Sequence, residues 1–170
     1  YPCPVDDSTV VAVKSGLKDI NSLVTIVHGK EKRLSYIGSI NSRLDYRNGK
    51  IYWTEIVPGL RWTHENYSVL KCYDLKEGRI KSITPRQRYL SPSVDKNGKV
   101  AAVSRTTVDG KNQLVLVELE DGKELFAFQV PGNAFIKELT FTDQDEVVAV
   151  AVTDAGISLL QFTPSSGQWE

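Results

Sequence analysis

The chain has no methionine, only two cysteines, and only two histidines in 170 residues. It also lacks an excess of charge of either sign, because 21 basic side chains balance 21 acidic ones. This balance gives no support to binding of nucleic acid or of an anionic membrane surface. No apolar run approaches the roughly 18–20 residues that a transmembrane helix needs. We therefore expect no transmembrane segment. Since the chain opens with YPCPVDD and not with methionine, we also expect a mature or excised piece of a longer protein.

The two cysteines, Cys3 and Cys72, are far apart in sequence. Sequence alone does not show that two cysteines meet in space, so the simplest expectation is two unpaired thiols, with Cys72 inside a strand. A lipid-modified Cys3 is conceivable for a bacterial surface protein. However, the Tyr-Pro that precedes it does not resemble a lipoprotein cleavage site.

Catalytic and metal-binding motifs are incomplete. His64-Glu65-Asn66 begins like a zinc-protease motif, but Ser68 stands where the second histidine is needed. The segment DKNG at 95–98 lacks the further carboxylates and the terminal glutamate of a calcium loop, and both it and DQDE at 143–146 are expected to be turns. The chain has neither a G-x-S-x-G elbow nor a phosphate-binding glycine loop. We expect no metal, no cofactor and no catalysis by this chain.

Short apolar segments are frequent in the chain, and long helical periodicity is absent. The segments rich in β-branched and aromatic residues, bounded by turn residues, are STVVAVKS, SLVTIVHG, KIYWTEI, YSVLKCYDL, KVAAVS, QLVLVEL, ELFAFQV, EVVAVAV and ISLLQF. Between them lie Asn-Gly and Asp-Gly pairs at 48–49, 97–98, 109–110 and 121–122, which are typical of tight β-hairpin turns. The sequence predicts an all-β chain.

The turn signals recur at a nearly constant spacing. Gly49 matches Gly98, and Asp145 takes the place of the glycine in the next copy, which gives spacings of 49 and 47 residues. Four strands in a repeat of about 40–50 residues indicate a β-propeller built of four-stranded antiparallel blades. The alternative is a β-sandwich, but a sandwich does not require the same turn at the same place in each unit.

We expect one domain over residues 1–170, with blades at about 5–38, 39–84, 85–131 and 132–170. The first blade is expected to lack its inner strand, and the outer strand of the last blade barely begins in SSGQWE. Four blades could close a ring. The ragged ends favour part of a larger ring, in which open blade edges would permit self-association.

One stretch carries a family resemblance. RYLSPSVDKNGKVAAVS followed by QLVLVELEDGKEL resembles the repeat of TolB-like propellers, with Ser91, Pro92, Asp95, Gly98 and Lys99 placed as in that repeat and Asn97 as an extra residue. The stretch IYWTEIVPGLRWTHENYSVLKCYDLKEGRIKSIT is similar to propeller segments of cell-envelope proteins from Bacteroidetes-type bacteria. The resemblance covers the second and third blades, and it implies a binding role in the periplasm or at the cell surface.

Propeller topology predicts which loops share a face. The loops after the second strand of each blade and the connections between blades lie together, so VPGLRWTHEN and PRQR (85–88) become neighbours. Loops on a rigid scaffold often carry binding residues, and Trp and Arg dominate protein interfaces. The expected partner-binding residues on this face are Arg61, Trp62, His64, Arg86 and Arg88, with Tyr89 at the mouth of the channel. In the alternative, Trp62 folds over its own blade and the arginines pair with local carboxylates.

Two functions remain open, beside a purely structural role. The first is a non-catalytic module that docks a protein or peptide on this face. The second is a propeller that gates substrate for a peptidase-like domain outside this chain. Because no nucleophile and base pair is visible, we expect the chain itself not to be an enzyme.

Overall fold

The structure is a computed structural model that describes residues 2–16, 20–40, 42–59 and 66–170. The described residues form sixteen β-strands and one 3₁₀ turn, Pro131–Asn133. No helix within these ranges is long and apolar enough to cross a membrane. The prediction of an all-β chain is confirmed, and all nine segments identified as strands from their composition form strands.

The strands form four antiparallel sheets of four strands each, which we call blades one to four. Blade one contains β1 (Cys3–Pro4), β2 (Thr9–Lys14), β3 (Ser22–Val27) and β4 (Lys30–Tyr36). Blade two contains β5 (Asp45–Arg47), β6 (Lys50–Pro58), β7 (Asn66–Asp74) and β8 (Arg79–Ser82). Blade three contains β9 (Tyr89–Val94), β10 (Val100–Thr106), β11 (Asn112–Glu118) and β12 (Glu124–Gln129). Blade four contains β13 (Phe135–Phe141), β14 (Val147–Thr153), β15 (Gly156–Thr163) and β16 (Gln168–Trp169).

Within each blade the strands pair in chain order, so each sheet is a simple meander. The first strand of each blade lies closest to the neighbouring blades, since β9 contacts β5, β6 and β7 on one side and β13 on the other. The blades therefore stack face to face around an axis lined by their first strands. This arrangement is a β-propeller, as the repeat spacing predicted.

Alternating residues of the second strands of blades two and three face the two neighbouring blades. In β6, Trp53 packs toward blade one, while Tyr52 packs toward blade three. In β10, Val103 packs toward blade two and Ala102 toward blade four. The period-2 alternation of side chains in a strand thus builds three separate cores, one at each blade junction. Trp53 is fully buried.

The tight turns have the backbone conformation that their sequences indicate. Asn48 and Gly49 both have positive φ, at 50° and 77°, and they join the paired residues Arg47 and Lys50 in a two-residue hairpin. The residues aligned with Gly49 in the later repeats also have positive φ, which is 70° at Gly98 and 61° at Asp145. Aspartate accepts this conformation more readily than most residues with a Cβ, which explains why it can replace the glycine.

The terminal blades differ in part from expectation. Blade one does have an inner strand, but β1 consists of only Cys3 and Pro4 and lies before the expected start at residue 5. Its pairing with β2 is too short to leave a repeat signal in the sequence. In blade four the outer strand β16 has two residues, Gln168 and Trp169, in agreement with the short outer strand expected there.

Buried polar contacts tie blades two, three and four together near the axis. The Asp45 carboxylate of blade two accepts a hydrogen bond of 2.6 Å from the backbone N–H of Val94 in blade three. The Ser93 hydroxyl in turn accepts one of 3.0 Å from the backbone N–H of Phe141 in blade four. Burial is the main cause that raises the pKa of Asp45, and the hydrogen bond from Val94 is the largest opposing effect.

The outer side of blade four is apolar and open. Val148, Val150 and Val152 of β14 alternate with residues that pack on blade three, so they point away from that blade. Ile157 and Leu159, their partners on β15, are 71% and 72% exposed. In blades two and three the corresponding side of the sheet is covered by the next blade.

Candidate functional site

The up-and-down order of the strands divides the connections between two faces. The turns after the first and third strands of each blade lie on one side, which we call the turn face. The loops after the second strands and the connections between blades lie on the other side, which we call the loop face. Residues 86–88 of the connection between blades two and three and the loop at 107–111 belong to the loop face and meet at the junction of these blades.

A groove crosses the loop face at this junction. It consists of two adjoining cavities of about 290 and 270 Å³ that share Tyr67, Arg88 and Thr106 in their walls. Beyond these shared residues the walls are formed by Ile56, Ser68, Arg86, Gln87, Tyr89, Leu90, Arg105, Thr107 and Val108. We call this feature the loop-face groove. Among the described residues, its walls contain three arginines and no acidic residue.

The connection between blades two and three is held against β7 by a backbone bridge. Ser68 and Gln87 exchange two backbone hydrogen bonds, of 2.6 and 2.8 Å. Arg86 and Arg88 flank Gln87, and the bridge therefore places both at the groove. The Arg88 guanidinium carbon lies 5.9 Å from the centre of the Tyr67 ring, within the range of a cation–π contact.

Arg105 is fixed on the opposite wall by its own blade. Its Nη1 donates to Glu124 Oε1 at 2.7 Å, and its Nε and Nη2 donate to Gln113 Oε1 at 3.1 and 2.9 Å. The Tyr89 hydroxyl donates to the same oxygen of Glu124 at 2.5 Å. Burial first, and then this hydrogen bond, raises the pKa of Tyr89, so the phenol remains the donor. The network holds the guanidinium in one place before any ligand arrives.

The predicted site residues have different outcomes. Arg86 and Arg88 lie in the same groove, Arg86 exposed and Arg88 half-buried. Tyr89 differs from the expectation of a channel-mouth residue, because it is fully buried in the core between blades two and three. A partner therefore cannot reach the face of its ring, and its contribution is to support Arg105. Arg61, Trp62 and His64 lie outside the described residues, so their part in binding stays a prediction.

Sequence reasoning missed Tyr67, Arg105 and Val108. Tyr67 and Arg105 sit in or next to segments correctly predicted as strands, and residues that line a junction between blades cannot be separated from other strand residues by pattern alone. Val108 had the clearest signal, since it is an apolar residue at the tip of a turn, and it is 87% exposed.

The turn face carries a larger cavity of about 460 Å³ at the same blade junction. Its wall contains Lys50, Lys81 and Lys99 together with Glu118 and Glu120. The charges of the two signs largely offset one another, so this cavity has a weaker preference for a charged ligand than the loop-face groove.

Neither thiol among the described residues is activated as a nucleophile, and these residues do not group into a metal site. Burial is the main cause that raises the pKa of both thiols, that of Cys3 to about 11, so both remain protonated near neutral pH and both are unpaired. His28 occupies a hairpin turn with φ of 48°. Within the described ranges no group of three His, Cys, Asp or Glu side chains could hold a metal ion.

Comparison with solved structures defines the class of protein. The fold matches TolB from Acinetobacter baumannii with a TM-score of 0.72 at 12% identity, over 96% of this chain and 41% of that one. It also matches the β-propeller domain of the Trilobed protease from Pyrococcus furiosus, described as having an open velcro topology, with a TM-score of 0.63 at 13% identity, over 100% of this chain and 55% of that one.

A third match is the acylaminoacyl peptidase of Pyrococcus horikoshii, with a TM-score of 0.66 at 13% identity, over 100% of this chain and 31% of that one. No protein-family model and no curated protein matches the chain. The chain therefore has the fold of the TolB-like β-propellers and spans less than two thirds of each of these structures.

Proposed function

We propose that the chain is a non-catalytic binding module that docks a protein or peptide partner on its loop face. The observation that carries the proposal is the loop-face groove, where three arginines, a tyrosine and an exposed valine line one depression between two rigid blades. Arginine and aromatic residues are enriched at the energetic centres of protein interfaces. The turn face at the same junction lacks this combination.

The location that fits this role is the bacterial envelope, either the periplasm or the cell surface. Support comes from the resemblance of the repeat to TolB-like propellers and from the structural match to TolB. Blade boundaries near residues 39, 85 and 132 remain our proposal for the repeat units, and β1 (Cys3–Pro4) extends the first unit to before residue 5. We propose Arg61, Trp62 and His64 as further contact residues on the loop after β6.

Site-specific crosslinking in the source cells tests the docking face. A photoreactive amino acid at Val108 should yield a defined adduct, because this side chain is exposed at the edge of the groove. The same group at Lys76, an exposed residue on the turn face, is the control. Adducts that form equally at both positions, or only at Lys76, would refute docking on the loop face.

A second function is supported by the matches to propellers of peptidases, which cover the whole of this chain. In that case the propeller belongs to an enzyme with a catalytic domain outside this chain, and it controls which substrates reach that domain. Substitution of Arg86 and Arg88 would then change the KM for long peptides while leaving turnover of a short substrate unaltered. An equal effect on long and short substrates would contradict gating.

A further inference from the structure

The charge on the walls of the loop-face groove is of one sign. Arg86, Arg88 and Arg105 contribute positive charge, and the described residues that line its two cavities include neither aspartate nor glutamate. This is a local departure from a chain whose basic and acidic residues are equal in number. Charges within a concave surface reinforce one another and attract a ligand of the opposite sign.

Two of these arginines have no acidic partner in the part of the chain that the structure describes. No carboxylate of a described residue lies within the 4.0 Å ion-pair distance of Arg86 or Arg88, although several other arginines form such pairs. Arg43 pairs with Glu138 and Arg79 with Glu77. The guanidinium fork matches a carboxylate through two parallel hydrogen bonds, and Arg86 and Arg88 are free to form them.

The third arginine is already oriented. Arg105 is held by Gln113 and Glu124, so it loses little side-chain freedom when a ligand binds. Glu124, which lies outside the groove, offsets part of the positive charge of Arg105, whereas Gln113 is neutral. Preorganised donors strengthen binding because less ordering is required at the moment of contact.

The shape and the apolar walls favour a peptide over a single small anion. The two cavities adjoin at their three shared wall residues and together offer more room than either cavity alone. Val108 at its edge and Tyr67 between its two parts offer surfaces for apolar side chains. A chain with carboxylates next to apolar residues matches both features.

We propose that the loop-face groove binds an acidic peptide segment, with its carboxylates on Arg86, Arg88 and Arg105 and an apolar side chain against Val108. This inference rests on the proposed function and narrows the partner to one chemistry. Nucleic acid is the competing anion. It fits less well, because three arginines on a chain without net charge neutralise few phosphates.

The test is fluorescence anisotropy with the whole chain and a labelled short peptide in which glutamate alternates with leucine. A peptide with glutamine at the same positions removes the charge and keeps the shape. We expect the glutamate peptide to bind at least about tenfold more tightly than the glutamine peptide. The loss of a single hydrogen bond to a charged group is enough to raise the dissociation constant by this factor. Binding should weaken as salt is added.

Variants locate the binding. The double substitution Arg86→Gln with Arg88→Gln should weaken the glutamate peptide at least about tenfold, because two charged contacts are lost. Arg79→Gln is the matched control, since Arg79 is an exposed arginine on the outer strand of blade two and remote from the groove. Circular dichroism of each variant checks that the fold is retained.

Several results would overturn the inference. The first two are equal affinity for the two peptides and no binding of the glutamate peptide at about 1 mM. The third is a loss of affinity in Arg79→Gln as large as that in the double variant. The fourth is tighter binding of single-stranded DNA than of the glutamate peptide. Equal affinity for both peptides together with a specific adduct at Val108 would refute the acidic preference and leave docking on the loop face intact. Absence of the adduct would refute docking itself.

Discussion

Replacing Gly122 by alanine should destabilise the propeller far more than the same replacement at Gly110. Both glycines follow an aspartate in a turn of blade three, and their φ angles are 75° and 78°. A Cβ at Gly110 would have no atom within 4 Å. A Cβ at Gly122 would overlap the carbonyl oxygen of Ile83 and lie 2.9 Å from its carbonyl carbon. The obstacle is backbone of the neighbouring blade, which cannot swing aside as a side chain can.

The expected magnitudes follow from these two situations. The left-handed backbone costs an alanine about 1–2 kcal/mol at either position. Alanine also reduces the freedom of the unfolded chain, which offsets about 0.4–1 kcal/mol of that cost. Gly110→Ala should therefore lower the free energy of unfolding by about 1 kcal/mol. Overlap with the neighbouring backbone adds about 1–3 kcal/mol at Gly122, in line with the cost of overpacking a core.

Urea denaturation followed by circular dichroism and tryptophan fluorescence measures the difference. The two variants share the residue change, the preceding aspartate and a nearly equal φ, so the extra loss in Gly122→Ala reports the contact between blades two and three. Equal midpoints with equal slopes would refute the reasoning. They would mean that Ile83 and the turn of blade three do not approach each other as closely as the structure shows.

The remaining predictions concern titration, thiols and self-association. Burial raises the pKa of Asp45 above 3.8, so the folded state takes up a proton at this carboxyl at higher pH than the unfolded state does. The free energy of unfolding should therefore increase as pH falls through the raised pKa. Urea midpoints of Asp45→Asn measured over the same pH range should not show this increase. Both cysteines should react with Ellman's reagent near pH 8 at least about tenfold faster in urea than in the folded protein, and equal rates would contradict their burial. Substituting Ile157 and Leu159 by glutamine should reduce concentration-dependent self-association in light scattering, whereas the exposed Phe126→Gln control should not. Unchanged association in the double variant would exclude this apolar face.

For most of the candidate site, the sequence predicted the face of the propeller but not the positions of the residues on that face. Strand order and turn spacing placed PRQR (85–88) on the loop side, and Arg86 and Arg88 are indeed in the groove there. Tyr89 was assigned to the channel mouth because it begins an inner strand. Its ring instead turns into the core, since which side of a strand faces a neighbouring blade is decided by packing between sheets.

Arg105 shows a second limit of the sequence. It lies 17 residues from Arg88 along the chain (105 − 88), and nothing in the local pattern connects the two. They share a groove because β10 and the connection at 83–88 meet at the same blade junction. The sequence also contained no sign that Gln113 and Glu124 would hold the Arg105 guanidinium.

The sequence by itself determined the repeat, because strand alternation and turn chemistry are local properties that act over a few residues. Asn48-Gly49, Asn97-Gly98 and the two Asp-Gly pairs marked the hairpins without any knowledge of their surroundings. Tertiary structure alone decided which of two similar Asp-Gly turns is packed against another blade, and which arginines share a groove. These outcomes depend on contacts between blades about 40–50 residues apart in sequence, and the energies of such contacts are set by close packing and burial, which no local pattern records.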